Sequence, residues 1–233
     1  MKFDRVKDLE KELNRIESTL PAWADAKSKV VFSLLKGKSV LDIGCGIGTF
    51  SRRLSEKGFM VVGMDVSEKC LNKAREACPD KIRFIHDDIC RPRKLHRLKF
   101  DSVLALDVLE HIRDDGKAIR NIRSLLKPKG TLVLTAPAFN FLFSKYDLMV
   151  GHEKRYSAHQ LRKLLEENGF NVERLFYWNL LGFFGWLILL KILRRLPSAF
   201  DTKTNTIYKY WFKIENKIKP PLGITIFIKA TKT

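Results

Sequence analysis

The sequence predicts a doubly wound α/β domain, a mostly parallel sheet with helices on both faces. Three observations carry that expectation. Short apolar runs alternate with helical stretches between residues 38 and 137, the pace of β-α-β units. Several runs, such as Val103-Leu104-Ala105-Leu106, are almost continuously apolar, as strands covered on both faces are. The first run ends in Gly44-Cys45-Gly46-Ile47-Gly48, where a strand-to-helix turn without side chains lets a ligand approach the backbone.

The elements follow in order. Val6, Leu9, Leu13, Ile16 and Leu20 form one apolar stripe, predicting a helix over 3–20. Pro21 suits a first helical turn, and a second helix is expected to reach Lys36. Strands are expected at 38–43, 59–65, 82–85, 100–106 and 131–135. Helices are expected at 49–57, from a Ser67 cap to Cys78, and at 114–127, where Lys127-Pro128-Lys129-Gly130 stops the last. Ser157 and Gln160 have capping-box spacing and open a helix ending at Asn168-Gly169. Phe170–Tyr177 and Gly223–Ala230 complete seven strands. The chain of 233 residues reads as one domain: N-terminal helices over 1–36, a ligand-binding core over 38–137, and a substrate-side region over 138–233 with an apolar, then basic, helical insertion at 178–220.

Composition narrows the partners. The net charge of +18 suits an anionic partner: nucleic acid, a membrane surface or an acidic substrate. From Lys191 onward ten Lys and Arg face two acids. The N-terminus carries no apolar signal segment. Cys45, Cys70, Cys78 and Cys90 have neither metal-site nor disulfide spacing, so a reduced, cytoplasmic setting is expected.

In an open parallel sheet, ligands bind beyond the carboxyl ends of the strands, and acids cluster there. The glycine loop is not a dinucleotide fingerprint, because the third glycine would fall at Thr49 or Ser51. No Gly-Lys-Ser/Thr follows either. Asp42 precedes the loop; it would repel a pyrophosphate and suits a ligand with a cationic amine. Asp65, with Val66 behind it, ends the second strand 17 residues after Gly48 and can accept both hydroxyls of a ribose. Asp88 and the backbone N–H of Ile89 can read the edge of an adenine. Leu106 and Asp107 end the fourth strand.

With these residues in place, Leu41–Gly48, Gly63-Met64-Asp65, Phe100–Ile112 and Leu125–Gly130 resemble the class I S-adenosylmethionine-dependent methyltransferases, whose fold is Rossmann-like. Leu104–Ile112 is similar to the small-molecule branch with the ubiquinone- and menaquinone-type enzymes. Lys129 departs from that pattern, which has glycine there. The resemblance implies S-adenosylmethionine as cofactor, held by Asp42, Gly44, Cys45, Gly46, Gly48, Asp65, Val66, Asp88, Ile89, Leu106 and Asp107. It implies methyl transfer to a small acceptor, with O-methylation favoured. A hydroxyl acceptor needs a base or a metal. His111 is the first candidate base, and His152 and Tyr156, in Gly151-His152-Glu153-Lys154-Arg155-Tyr156, are the next. Asp107, Glu110 and His111 could face a divalent ion, but no metal is assigned.

From Leu175 to Leu190 no residue carries a formal charge, and Lys191, Arg194 and Arg195 follow. That pattern suits peripheral contact with anionic lipid at the inner membrane surface and a quinone-like or lipid-like acceptor. RNA methylation is the alternative reading of the charge. Base-amino methyltransferases resemble one another in Asn/Asp-Pro-Pro-Tyr/Phe after the fourth strand, where this chain has Leu106-Asp107-Val108-Leu109. A non-catalytic cofactor-binding protein is the third reading. The oligomeric state is not encoded in any motif.

Overall fold

The computed structural model describes residues 21–78, 82–95, 98–188 and 202–233. The helix expected over 3–20, and Lys191, Arg194 and Arg195, lie outside the described residues. The elements are α1 (Pro21–Leu34), β1 (Ser39–Ile43), α2 (Thr49–Glu56), β2 (Met60–Asp65), α3 (Glu68–Ala77), β3 (Arg83–His86), β4 (Phe100–Leu106), α4 (Asp115–Leu125), β5 (Leu126–Pro137), α5 (Lys145–Val150), α6 (Ala158–Glu167), β6 (Phe170–Trp178), α7 (Leu180–Trp186), α8 (Thr202–Ile218) and β7 (Thr225–Lys232). Single 3₁₀ turns lie at Leu109–His111 and Asn140–Leu142.

The seven strands form one sheet in the order β3-β2-β1-β4-β5-β7-β6. The pairs among β1 to β5 are parallel, and β7 runs antiparallel between β5 and β6. β4, β5 and β6 therefore end on the same edge. One apolar cluster covers one face, joining Leu41, Ile119, Ile122, Leu161 and Leu165. The other face carries Val31, Leu34, Val133, Trp178, Tyr208 and Phe212, from α1, β5, β6 and α8. Phe212 stacks on Trp178 at 4.6 Å, a geometry that adds about 0.5–1.5 kcal/mol beyond the area buried.

The predicted caps form. Ser67 accepts the Cys70 N–H, and Ser157 and Gln160 exchange a complete capping box. The main departure is β5. Five residues were expected, and the strand has twelve. Leu126 pairs with Phe100 before a register shift, and pairing resumes at Ser102 with Thr131. The Pro-Lys-Gly segment that reads as a helix stop is absorbed into this irregularity. Lys129 adopts φ 57, the left-handed conformation that costs glycine least.

Candidate active site

The loop after β1 is shaped by its glycines. Gly44 has φ 67, and a Cβ there would lie 2.7 Å from Val108 Cγ2. Gly63 admits the Phe84 ring, which a Cβ would meet at 2.6 Å. The Gly46 N–H donates to Asp65 Oδ2 at 2.8 Å and the Ser67 N–H to Asp65 Oδ1 at 2.8 Å. Asp65 thus ties the loop to the end of β2, with Val66 exposed beside it. Asp42 is buried beneath the loop and accepts Ser51 Oγ at 2.6 Å. Burial, reinforced by the charge of Asp65, pushes its carboxyl up to about 7. The same two acids and burial push the Cys45 thiol up, so it is inert. Asp88 is exposed after β3, with one oxygen on the Cys90 N–H, and Ile89 is buried.

Asp107 stands just after β4 with φ 55. Its N–H bonds the Thr135 carbonyl at 3.1 Å, and Thr135 Oγ1 donates to its carboxylate at 2.9 Å. The buried Lys27 of α1 forms an ion pair with it. Burial would raise the Asp107 carboxyl, but Lys27 holds it below the ordinary range. The sequence reading missed Lys27. The available signal was its place four residues from Trp23 on a helix face whose neighbours Ala24, Ser28 and Val31 are buried; the Lys27 Nζ lies 4.9 Å from the Trp23 ring.

His111 and His152 meet edge to face, with ring centroids 4.8 Å apart. His111 Nδ1 lies 3.1 Å from the Gly151 carbonyl. A carbonyl only accepts, so Nδ1 carries the proton and Nε2 presents a lone pair. His152 Nδ1 lies 2.9 Å from Asp147 Oδ1, so its Nδ1 also carries a proton. Asp147 also accepts Arg155 Nε at 2.8 Å, a fully buried pair. Burial raises the Asp147 carboxyl, and His152 and Arg155 more than offset that. Burial and the neighbouring His152 push His111 below its ordinary value. Glu110 is wholly buried, and its carboxylate oxygens have no hydrogen-bond partner among the described residues. Burial, then Asp107, raises its pKa well above the ordinary value. Atoms of Glu110, His111 and His152 lie within 4.8 Å of one another, the grouping among the described residues that could admit a cation.

Tyr156 is buried. Its hydroxyl lies 3.1 Å from the Leu109 carbonyl and 3.0 Å from Asp115 Oδ2, and burial pushes the phenol up. It ties the Gly151–Tyr156 loop to the turn that carries His111. Next to it, the Phe139 N–H donates to the Tyr156 carbonyl. Phe139 begins an aromatic wall, stacked on Tyr177 at 5.0 Å and meeting Phe183 at 5.4 Å. Asp107, Phe139 and Asn179, each just beyond β4, β5 or β6, all have positive φ. Such strained backbone gathers at functional sites.

Over residues 4–175 the sequence matches the methyltransferase domain family. The chain is an S-adenosylmethionine-dependent methyltransferase of class I. The ubiquinone biosynthesis O-methyltransferase of Coxiella burnetii is 34% identical over 118 residues, 49% of this chain and 50% of the relative. The magnesium-protoporphyrin O-methyltransferase of Synechocystis is 30% identical over 151 residues, 60% of this chain and 66% of the relative. The chain thus spans about half the length of the ubiquinone-type relatives it matches. The fold is shared with a Haloferax volcanii methyltransferase solved with the Trm112 activator, at TM-score 0.70 and 16% identity over 100% of this chain and 99% of that one. It is also shared with the Synechocystis magnesium-protoporphyrin IX methyltransferase bearing S-adenosylhomocysteine, at TM-score 0.58 and 20% identity over 91% and 82%. The methyltransferase's own residues fit the cofactor: Asp42 precedes the glycine loop, Asp65 ties the loop to the end of β2 and Asp107 stands just after β4, a donor set suited to a cationic ligand with ribose hydroxyls.

Proposed function

We propose that this methyltransferase O-methylates a small, quinone-like or lipid-like acceptor, with His111 as the general base. The observations that carry this are the edge-to-face His111–His152 pair in the turn after β4 and the aromatic wall of Phe139, Tyr177 and Phe183 just beyond β5 and along β6 and α7. Such a wall receives a flat or greasy ring, and His111 Nε2 takes the proton of its hydroxyl. His152 is a second base candidate, braced by Asp147. Tyr156 acts as a positioning residue.

The cofactor, when bound, supplies an electrophilic methyl group on sulfur. Asp65 holds the ribose, Asp88 and Ile89 the adenine, and Gly44, Cys45, Gly46 and Gly48 line the approach, with Val66 and Leu106 at its sides. Asp42 and Asp107 face the amino acid end, where Lys27 can exchange Asp107 for a carboxylate.

On a phenolic acceptor, the product should be a methyl ether. The acid limb of the rate profile should fall below pH 6.5, because the base stays neutral past the ordinary imidazole value. Absence of the ether, or a limb above 6.5, contradicts the reading.

A second pH effect concerns the cofactor. Asp42 titrates near 7 in the free protein, against 3.8 ordinarily. A cationic amine beside it favours the carboxylate, so binding at pH 6 should release close to one proton and binding at pH 8 almost none. Affinity should rise from pH 6 to 8. Calorimetry in buffers of different ionisation enthalpy reads the proton directly; no release at pH 6 would remove Asp42 from the amine.

A further inference from the structure

We propose that α8 is a lipid-docking helix, which seats the enzyme on an anionic bilayer. One face of α8 is spoken for. Tyr208, Phe212 and Glu215 are buried against α1 and β6, and Glu215 accepts the Leu180 N–H at 3.0 Å. A second face is apolar and uncovered: Ile207 is 61% exposed, Tyr210 63%, Ile214 53% and Ile218 58%. Their spacing of three, four and four residues places them in one stripe, along a helix of about 25 Å. A third face carries Lys209, Lys213 and Lys217, all exposed. Among the described residues none of these three pairs with an acid, and the one acid of α8, Glu215, is buried.

An apolar stripe bordered by a row of lysines is the pattern of a helix lying in a membrane interface. No described helix is long and apolar enough to cross a bilayer, so the contact is a surface one. The charge decides the occupant. A second copy docked face to face would bring two lysine rows together, whereas anionic headgroups neutralise both the row and the chain's net +18. The run expected from sequence to touch lipid is split: Phe183 is buried, and Phe184 and Ile188 are exposed. α8 supplies the continuous surface instead. The purpose of docking rests on the reading of a lipid-like acceptor, but the contact itself does not.

The test is co-sedimentation of the full chain with vesicles of phosphatidylglycerol and phosphatidylcholine, or of phosphatidylcholine alone. Binding should require the anionic lipid and weaken with salt. Lys209→Gln, Lys213→Gln and Lys217→Gln together should lower partitioning on the order of 100-fold, taking about fivefold for each lysine. Ile214→Asp should abolish it. Because these side chains are exposed, the melting temperature and cofactor affinity should stay as in the parent, which keeps the result separate from misfolding. Vesicle binding needs no acceptor, so an acceptor of another class would leave it intact. Equal, negligible pelleting with both vesicles, binding indifferent to the substitutions, or a dimer that Ile214→Asp splits into monomers would overturn the proposal.

Discussion

His111→Ala should lower turnover by roughly 10²–10⁴ and leave cofactor affinity nearly unchanged. His111 stands in the turn after β4, and its Nδ1 is committed to the Gly151 carbonyl. Only Nε2 is left to receive a proton. Removing the ring leaves the glycine loop, Asp42 and Asp65 untouched, so turnover and binding should separate. His152→Ala should cost less on the acceptor, because its ring packs edge to face against His111 and braces it. Chelation should leave the parent enzyme active, since the proposed base is the His111 ring itself. Loss of activity with a chelator and its return with Mg²⁺ would make the Glu110, His111 and His152 group a metal site. Full activity in His111→Ala would leave positioning alone to account for catalysis.

Asp65→Ala should weaken cofactor binding about 10- to 150-fold, the equivalent of the 1.5–3 kcal/mol typical of hydrogen bonds to a charged group. In the free protein its two oxygens hold the N–H groups of Gly46 and Ser67. The substitution removes a ribose acceptor and also releases the loop. Calorimetry checks the affinity, and a thermal melt shows that the fold survives. An unchanged affinity would detach Asp65 from the ribose.

The parallel core was legible because its strands are apolar on both faces, a pattern that survives without tertiary information. Glycines and acids at strand ends then marked the ligand edge, since spacing along the chain places them after successive strands. The early part of β5 was not legible. Pro128 and Gly130 are turn residues by local preference, and only pairing with Phe100 makes Leu126–Lys129 part of the strand. α5 escaped because six residues carry no period; its Ser144–Asp147 capping box was the available mark. Lys27 escaped because a lysine reads as surface, and its burial depends on Asp107, 80 residues away. In α8 the buried and exposed apolar faces have the same helical spacing. Only the packing of Phe212 on Trp178 tells them apart.

The proposed acceptor class is tested most directly by supplying the enzyme with tritiated-methyl S-adenosylmethionine and the lipid, RNA and protein fractions of its source cell. The account predicts label in the lipid fraction, on a hydroxyl oxygen, and its loss with His111→Ala. Label confined to RNA or protein would contradict it.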